Sequence, residues 1–310
     1  CDSNESIMLQ SDVKSGVPIH MQKDNENIIK NGRVKTKLMR CNDCHLDYLE
    51  TWDRPIDVYK FYENNNYVCE PNITKGTLKY DERKKRVERV LPYVNKKTRL
   101  LDIGCGNGTF LKDLKKHVKI IEGMELTKEH VDQLTREGIK VWDCFLEDFE
   151  PEVPYDVVVM HATLEHIADI NQFMVDLKRI IHEKTKVFVE VPNMRDPLAY
   201  IFNIEPYRKF FYREYHLYYF SEISLFKIFN KFDFKQSEIW PEMVASLSNH
   251  FHWINLNIGQ SDTNTMVNMV LNCDYLGTKL PNGNDFKDIM DEIDNTYRVK
   301  LQEAGVGDYC

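Results

Sequence analysis

The chain contains no long hydrophobic run: nowhere does it approach the roughly 18 uninterrupted apolar residues that a membrane-spanning helix requires. No charged-then-apolar leader opens it either. Positive charge is in deficit, with 41 Lys and Arg against 49 Asp and Glu and a net charge of -8. That balance argues against a broad surface for nucleic acid or anionic lipid, although it leaves room for a local basic groove. Cysteine is too thinly spread, 8 in 310 residues, to form the dense disulfide framework of a small secreted domain. Reduced thiols and a cytoplasmic location are therefore expected. Internal repeats and low-complexity tracts are absent, and the pattern fixes no oligomeric state. Because the chain begins at Cys1 rather than at methionine, its natural start is expected to be missing.

What is present is the composition of an ordinary globular protein, 42% hydrophobic and 12% aromatic. Residues 1–75 are polar and rich in Asn, Asp and Lys, and read as a separate N-terminal lobe. In "DERKKRVERVLPYV" Val87, Val90, Leu91 and Val94 share one helical face. Short aliphatic runs then alternate with helical patterns. Strands are expected at Leu100–Ile103, Val118–Met124, Lys140–Trp142, Tyr155–Met160 and Lys186–Val191, with helices between them. Such alternation implies βαβ units and a doubly wound, mostly parallel α/β sheet. Two later runs, "FKQSEIW" and "MVNMVLNCDY", would bring it to seven strands. The main domain spans 76–278, with an aromatic insertion at 195–220, and a charged helical tail occupies 279–310.

The stretch "LLDIGCGNGTFL" carries the first chemistry. Glycines at alternate positions let the chain turn sharply and let a ligand approach the backbone, while the helix that follows points free amides at the loop. A tight turn without a ligand is the plain alternative. The spacing G-x-G-x-G differs from the G-x-G-x-x-G of pyrophosphate-binding enzymes. Asp102, just before the first glycine, would repel phosphates and attract an amine. Glu125 ends the next strand about twenty residues on, where an acid can accept hydrogen bonds from ribose hydroxyls; Glu122 competes for that role. A ligand with a ribose, an amine and no pyrophosphate is S-adenosylmethionine.

Four stretches in this order, "LLDIGCGNGTFL", "IIEGMEL", "YDVVVMHATLEHI" and "VFVEVPN", resemble a class I S-adenosylmethionine-dependent methyltransferase of Rossmann-like fold. The "LEHI" and "EVPN" stretches and the segment ending "HLYYFSEISLFKIF" are similar to the branch acting on nucleotide-linked sugars and polysaccharide precursors. By that resemblance Asp102, Gly104, Gly106 and Glu125 hold the cofactor, Phe145, Leu146 and Glu147 meet the adenine, and His161 lies near the methionine moiety. The acceptor it implies is a small molecule, a nucleotide sugar or a glycan precursor. Sugar C-methyltransferases also resemble the chain in carrying a zinc-binding N-terminal module. On that reading Cys1, Cys41 and Cys44 are zinc ligands, and the fourth is missing from the sequence or is His45. Free cysteines in a loop-rich lobe are the alternative.

Methyl transfer often needs a base, and histidine suits that work near neutral pH. His166, after the fourth strand, and His216, before the helix at Ser221, fall where strand ends meet the ligand crevice. Both match histidines of sugar C-methyltransferases, with Tyr212 and Tyr215 as lining candidates. Here the sequence reads Arg213, Glu214, Tyr215, His216, with tyrosine in place of the glutamate directly before the histidine. Loss of that carboxylate favours O-methylation, because a carbon-bound proton needs a stronger base. Capping or packing histidines are the alternative for both. His250 and His252 alternate at strand spacing and suit a pocket lining, without a third ligand for a metal. Competing functions are a quinone-type or other small-molecule O- or N-methyltransferase, and a non-catalytic protein of the same fold.

Overall fold

The computed structural model describes residues 6–11, 36–51, 78–212, 215–235, 238–256 and 286–310. Its centre is a five-stranded parallel sheet formed by β4 (Arg99–Ile103), β5 (Ile120–Met124), β6 (Lys140–Trp142), β7 (Tyr155–His161) and β8 (Ile181–Glu190). The spatial order is β6-β5-β4-β7-β8. Crossovers run through α2 (Thr109–Leu114), α3 (Lys128–Arg136) and α4 (Ile170–Arg179), while α1 (Leu78–Val90) precedes β4.

Period-two alternation divides the core between the two faces. Leu100, Val157 and Val159 pack with Val90, Leu111, Leu114 and Leu134 on the side of α1, α2 and α3. Leu101, Val158 and Met160 pack with Phe173, Met174 and Leu177 of α4 on the other. Both faces are covered, which is why these strands read as continuous aliphatic runs. Burying each such side chain stabilises the fold by about 1.5–3 kcal/mol. From β4 the chain winds outward to β5 and β6, then returns to the other side of β4 for β7 and β8. The strand order therefore reverses between β4 and β7, and a crevice opens at their carboxyl ends.

A second sheet, antiparallel, consists of β1 (Ser6–Ser11), β2 (Thr36–Cys41), β3 (Asp47–Thr51) and β9 (Tyr218–Tyr219). The pairing of Asp47 with Tyr219 and Tyr48 with Tyr218 joins the N-terminal strands to the end of the aromatic insertion. That insertion holds a π-helical turn at Pro197–Ile201 and α5 (Glu205–Phe211). Then α6 (Glu222–Lys231) starts from a Ser221 cap, as the sequence predicts, with Ser221 and Ser224 each capping the other's backbone.

Four expectations change. Five parallel strands, not seven, are present among the described residues. The described part of Phe234–Trp240 is irregular, because Phe234 folds back edge-on to Phe229 of α6 at 5.2 Å. The run "MVNMVLNCDY" lies outside the described residues. In place of further strands, Tyr309 bridges antiparallel to Pro192 and to Glu242, so residues 308–310 lie between the end of β8 and Glu242. The segment with His250 and His252 is helical, α7 (Leu247–Leu256). Among its described side chains His250 and Trp253 are buried, a helical spacing of three. Leu91–Tyr93 tightens into a 3-10 turn, which leaves Val94 outside the first helix. The tail helix is α8 (Phe286–Glu303).

Candidate functional site

β4 delivers Asp102 to the crevice and ends in Gly104, whose φ of 76° belongs to the left-handed region. A Cβ there would stand 2.4 Å from Oγ1 of Thr163 in the segment after β7. Only glycine lets the two strand ends approach this closely. Gly104 N and Cys105 N donate to Met124 O at 2.8 and 3.1 Å, and Gly106 N donates to Glu125 Oε2 at 2.8 Å. The other oxygen of Glu125 accepts Leu126 N at 3.0 Å and Thr127 N at 2.7 Å. Three backbone amides thus fix this carboxylate, and its two oxygens retain lone pairs for hydroxyl groups. Glu122 does not compete: it is buried lower in the sheet, bonded by the Tyr155 hydroxyl and by Lys140.

Asp102 is 3% exposed, and burial pushes its carboxyl up to about 7; Arg86 opposes this and Glu125 adds to it. His161 meets Phe110, in the first turn of α2, edge-on at 4.8 Å. Burial, then the guanidinium groups of Arg86 and Arg89, hold its imidazole well below the usual histidine range, so it is neutral. Phe145 is half-buried, whereas Leu146 joins the core with Met124 and Phe149.

Past β7 the backbone passes through Ala162 at φ 51°, a conformation disfavoured for a residue with a Cβ. Thr163 Oγ1 donates to Ile103 O at 3.0 Å, and His166 N donates to Thr163 O at 3.0 Å. This turn places Glu165 and His166 just beyond the carboxyl end of β7. Nδ1 of His166 lies 2.7 Å from the carbonyl oxygen of Tyr215. A carbonyl only accepts, so Nδ1 bears a proton, and in the neutral ring Nε2 carries the lone pair. Nε2 stands 3.8 Å from Oε1 of Glu165. The His216 ring meets His166 edge-on at 4.8 Å and Tyr215 at 5.1 Å. Glu165 is fully buried, and neither carboxylate oxygen has a hydrogen-bond partner. Burial pushes it up to about 8, with Glu190 adding and Arg86 opposing.

The sequence-predicted residues fall into three groups. Asp102, Gly104, Gly106 and Glu125 form one cradle, with His161 at the adjoining strand end. His166, His216 and Tyr215 form a second cluster, tied to the first through Thr163. Cys41 and Cys44 lie apart, buried in the β2–β3 turn. There Cys41 N donates to Leu46 O at 3.0 Å and His45 N to Cys41 O at 3.0 Å. Burial raises the Cys44 thiol, and its hydrogen bond with the Cys41 thiol raises it further. His45 is exposed, and Cys1 lies outside the described residues.

Sequence reasoning missed two features. One is Glu165, which in "LEHI" looks like a solvated charge; its signal was its place in the turn shortly after the aliphatic run 157–160 of β7. The other is the reach of the charges on α1, a helix the sequence does predict: Arg86 bonds Glu190 Oε1 at 2.8 Å while Arg89 bridges Glu190 and Glu242. Lys85 adds a 2.8 Å pair to Glu242. Behind burial, Arg86 acts on Asp102, His161 and Glu165, and Arg89 on His161.

Residues 78–238, just over half of the chain, match the family described as "Methyltransferase domain", and the chain belongs to that family. It is 29% identical over 114 residues to the ubiquinone biosynthesis O-methyltransferase of Rickettsia prowazekii (strain Madrid E), covering 35% of this chain and 45% of that protein. With the protein of the same name from Rickettsia bellii (strain OSU 85-389) it shares 27% over 111 residues, 34% of this chain and 46% of the relative. The chain thus spans less than half the length of either relative. Among solved structures it is similar to the YcgJ protein of Bacillus subtilis, at TM-score 0.44 and 15% identity, covering 66% of this chain and 92% of that one.

Proposed function

We propose that the chain is an S-adenosylmethionine-dependent methyltransferase acting on a hydroxyl of a small acceptor. The observation that carries this reading is the Glu125 carboxylate anchored on the Gly106 amide, beside the buried Asp102. Two acids at a glycine loop suit a cationic ligand with a ribose and disfavour a diphosphate. S-adenosylmethionine supplies, when bound, a methyl group on a sulfonium. Glu125 would accept from the ribose hydroxyls, Asp102 would face the amine, and the Gly104–Gly106 backbone would line the ligand. Phe145 and Leu146 would flank the adenine, Phe145 offering the more accessible face, and neutral His161 would adjoin the methionine end.

The cluster at Glu165, His166 and His216 is the acceptor side, where it orients the hydroxyl and draws off its proton, and Tyr215 holds His166 in register. O-methylation fits this site better than C-methylation, since Tyr215 precedes the histidine where a carboxylate would strengthen the base. The acceptor read from the sequence is a nucleotide-activated sugar or glycan precursor. A quinone-type phenol is the second reading, favoured by the names of the relatives. Residues 1–75 would serve as a lobe over the acceptor, since β3 pairs with the end of the insertion. There Cys41 and Cys44, with Cys1, would hold a structural zinc ion.

Incubation with S-adenosylmethionine and a panel of nucleotide sugars, polyols and catechols tests the reading. A mass gain of one methylene on a panel member, lost on His216→Ala, supports it. Absence of S-adenosylmethionine binding by calorimetry would refute it.

A further inference from the structure

Buried carboxylates in folded proteins are paired, and an unpaired one calls for a missing water or ion. Glu165 is 0% exposed with both oxygens unpartnered. The nearby cation, Arg86, is committed to Glu190 at 2.8 Å. Facing Glu165 is Nε2 of His166, a ring held in place by its Nδ1 bond to Tyr215 O at 2.7 Å. Nε2 and Oε1 of Glu165 stand 3.8 Å apart, too far for a direct hydrogen bond. One donor atom from each of Glu165, His166 and His216 lies within 4.8 Å of the other two. Donors that share one cation at about 2.0–2.2 Å stand about 3–4 Å apart, so small side-chain rotations close this triangle.

We infer that Glu165, His166 and His216 form a binding site for one divalent transition-metal cation. Two imidazoles and one carboxylate suit manganese, iron, cobalt or zinc, and suit magnesium or calcium poorly. The Tyr215 carbonyl is the outer support that fixes the tautomer of a ligating histidine. Three protein donors leave positions open, and acceptor oxygens can fill them. A metal-held hydroxyl ionises more readily, its proton passing to solvent, so the cation performs the activation assigned above to the cluster. This role in activation rests on the methyl-transfer reading, whereas the cation site itself does not.

The test uses the full chain, stripped with EDTA and titrated with Mn2+ alone by calorimetry and by electron paramagnetic resonance. Mn2+ avoids thiolates, so Cys41→Ser should leave the titration unchanged. One Mn2+ per chain is expected, with nitrogen couplings from imidazole. Glu165→Gln and His216→Ala should each weaken it at least about tenfold while circular dichroism stays native. Absence of Mn2+ binding, or binding unchanged in both variants, would overturn the inference. S-adenosylmethionine binding, read in parallel, separates the two readings. If it persists while Mn2+ fails to bind, only the cation site falls; if it is absent while Mn2+ binds, the methyl-transfer reading falls and the cation site stands.

Discussion

The carboxylate of Glu125, at the end of β5, reaches the loop after β4 and accepts the amide of Gly106 at 2.8 Å. One side chain thereby fixes the loop and presents oxygens to whatever the loop holds. Hydrogen bonds to a charged group contribute about 1.5–3 kcal/mol each. Glu125→Ala is therefore expected to weaken S-adenosylmethionine binding about ten- to hundredfold. Calorimetry measures this directly, and an unchanged dissociation constant would remove Glu125 from the cofactor site.

Gly104 and Thr163 test the close approach of the two strand ends. Gly104→Ala forces a left-handed alanine, costing about 1–2 kcal/mol, and drives its Cβ to 2.4 Å from Thr163 Oγ1. Thr163→Ala alone loses the bond to Ile103 O, about 1 kcal/mol. Because the two sites are in contact, the double variant should be less destabilised than the two single losses together, by at least about 0.5 kcal/mol in urea unfolding. Simple additivity would mean that the strand ends move apart freely.

Much of the central sheet was legible because its strands are buried on both faces: Leu100, Leu101, Val157, Val158 and Val159 leave no polar alternation to misread. The glycine loop and Glu125 were legible because their meaning is local and depends on spacing. Contacts between distant residues were not. Nothing near Asp47 announces Tyr219 as its strand partner, and the single bridges of Tyr309 carry no periodicity. Glu165 was passed over because sequence cannot show that the chain after His216 returns to it, where Leu217 N donates to Glu165 O at 2.8 Å.

Asp102 makes the cofactor site pH-dependent. Its folded value, raised to about 7 chiefly by burial, leaves the free protein protonated there in mild acid. A cationic amine prefers the carboxylate, so binding must release that proton. Affinity for S-adenosylmethionine should rise between pH 6 and 7, by up to about tenfold per pH unit, and level off above. Calorimetry in buffers of differing ionisation enthalpy should register the released proton. In Asp102→Asn the release should vanish and the dependence flatten; a dependence identical to that of the parent would assign it elsewhere.

Asp308 supplies a second pH effect, in stability rather than binding. It hydrogen-bonds Asp196 side chain to side chain, and burial together with repulsion from Asp196 raises it well above the usual carboxylate range. Asp196 is raised too, mainly by burial, although the Tyr207 hydroxyl at 2.7 Å opposes this. The pair pins residues 308–310 against the Pro197–Ile201 turn, for Asp196 also caps Leu198 N and Ala199 N. A carboxyl raised on folding contributes stability fully present below its unfolded value near 3.9 and lost as pH rises through its folded value. Each such group changes unfolding free energy by up to about 1.4 kcal/mol per pH unit in that window. In Asp308→Asn the amide nitrogen can donate to Asp196, while the amide oxygen keeps the bonds that Asp308 now accepts from Val244 N and Ala245 N. Urea unfolding from pH 5 to 8 should therefore fall less steeply for Asp308→Asn, which overtakes the parent in stability at the alkaline end. Parallel curves would show that the proton is not shared at this position.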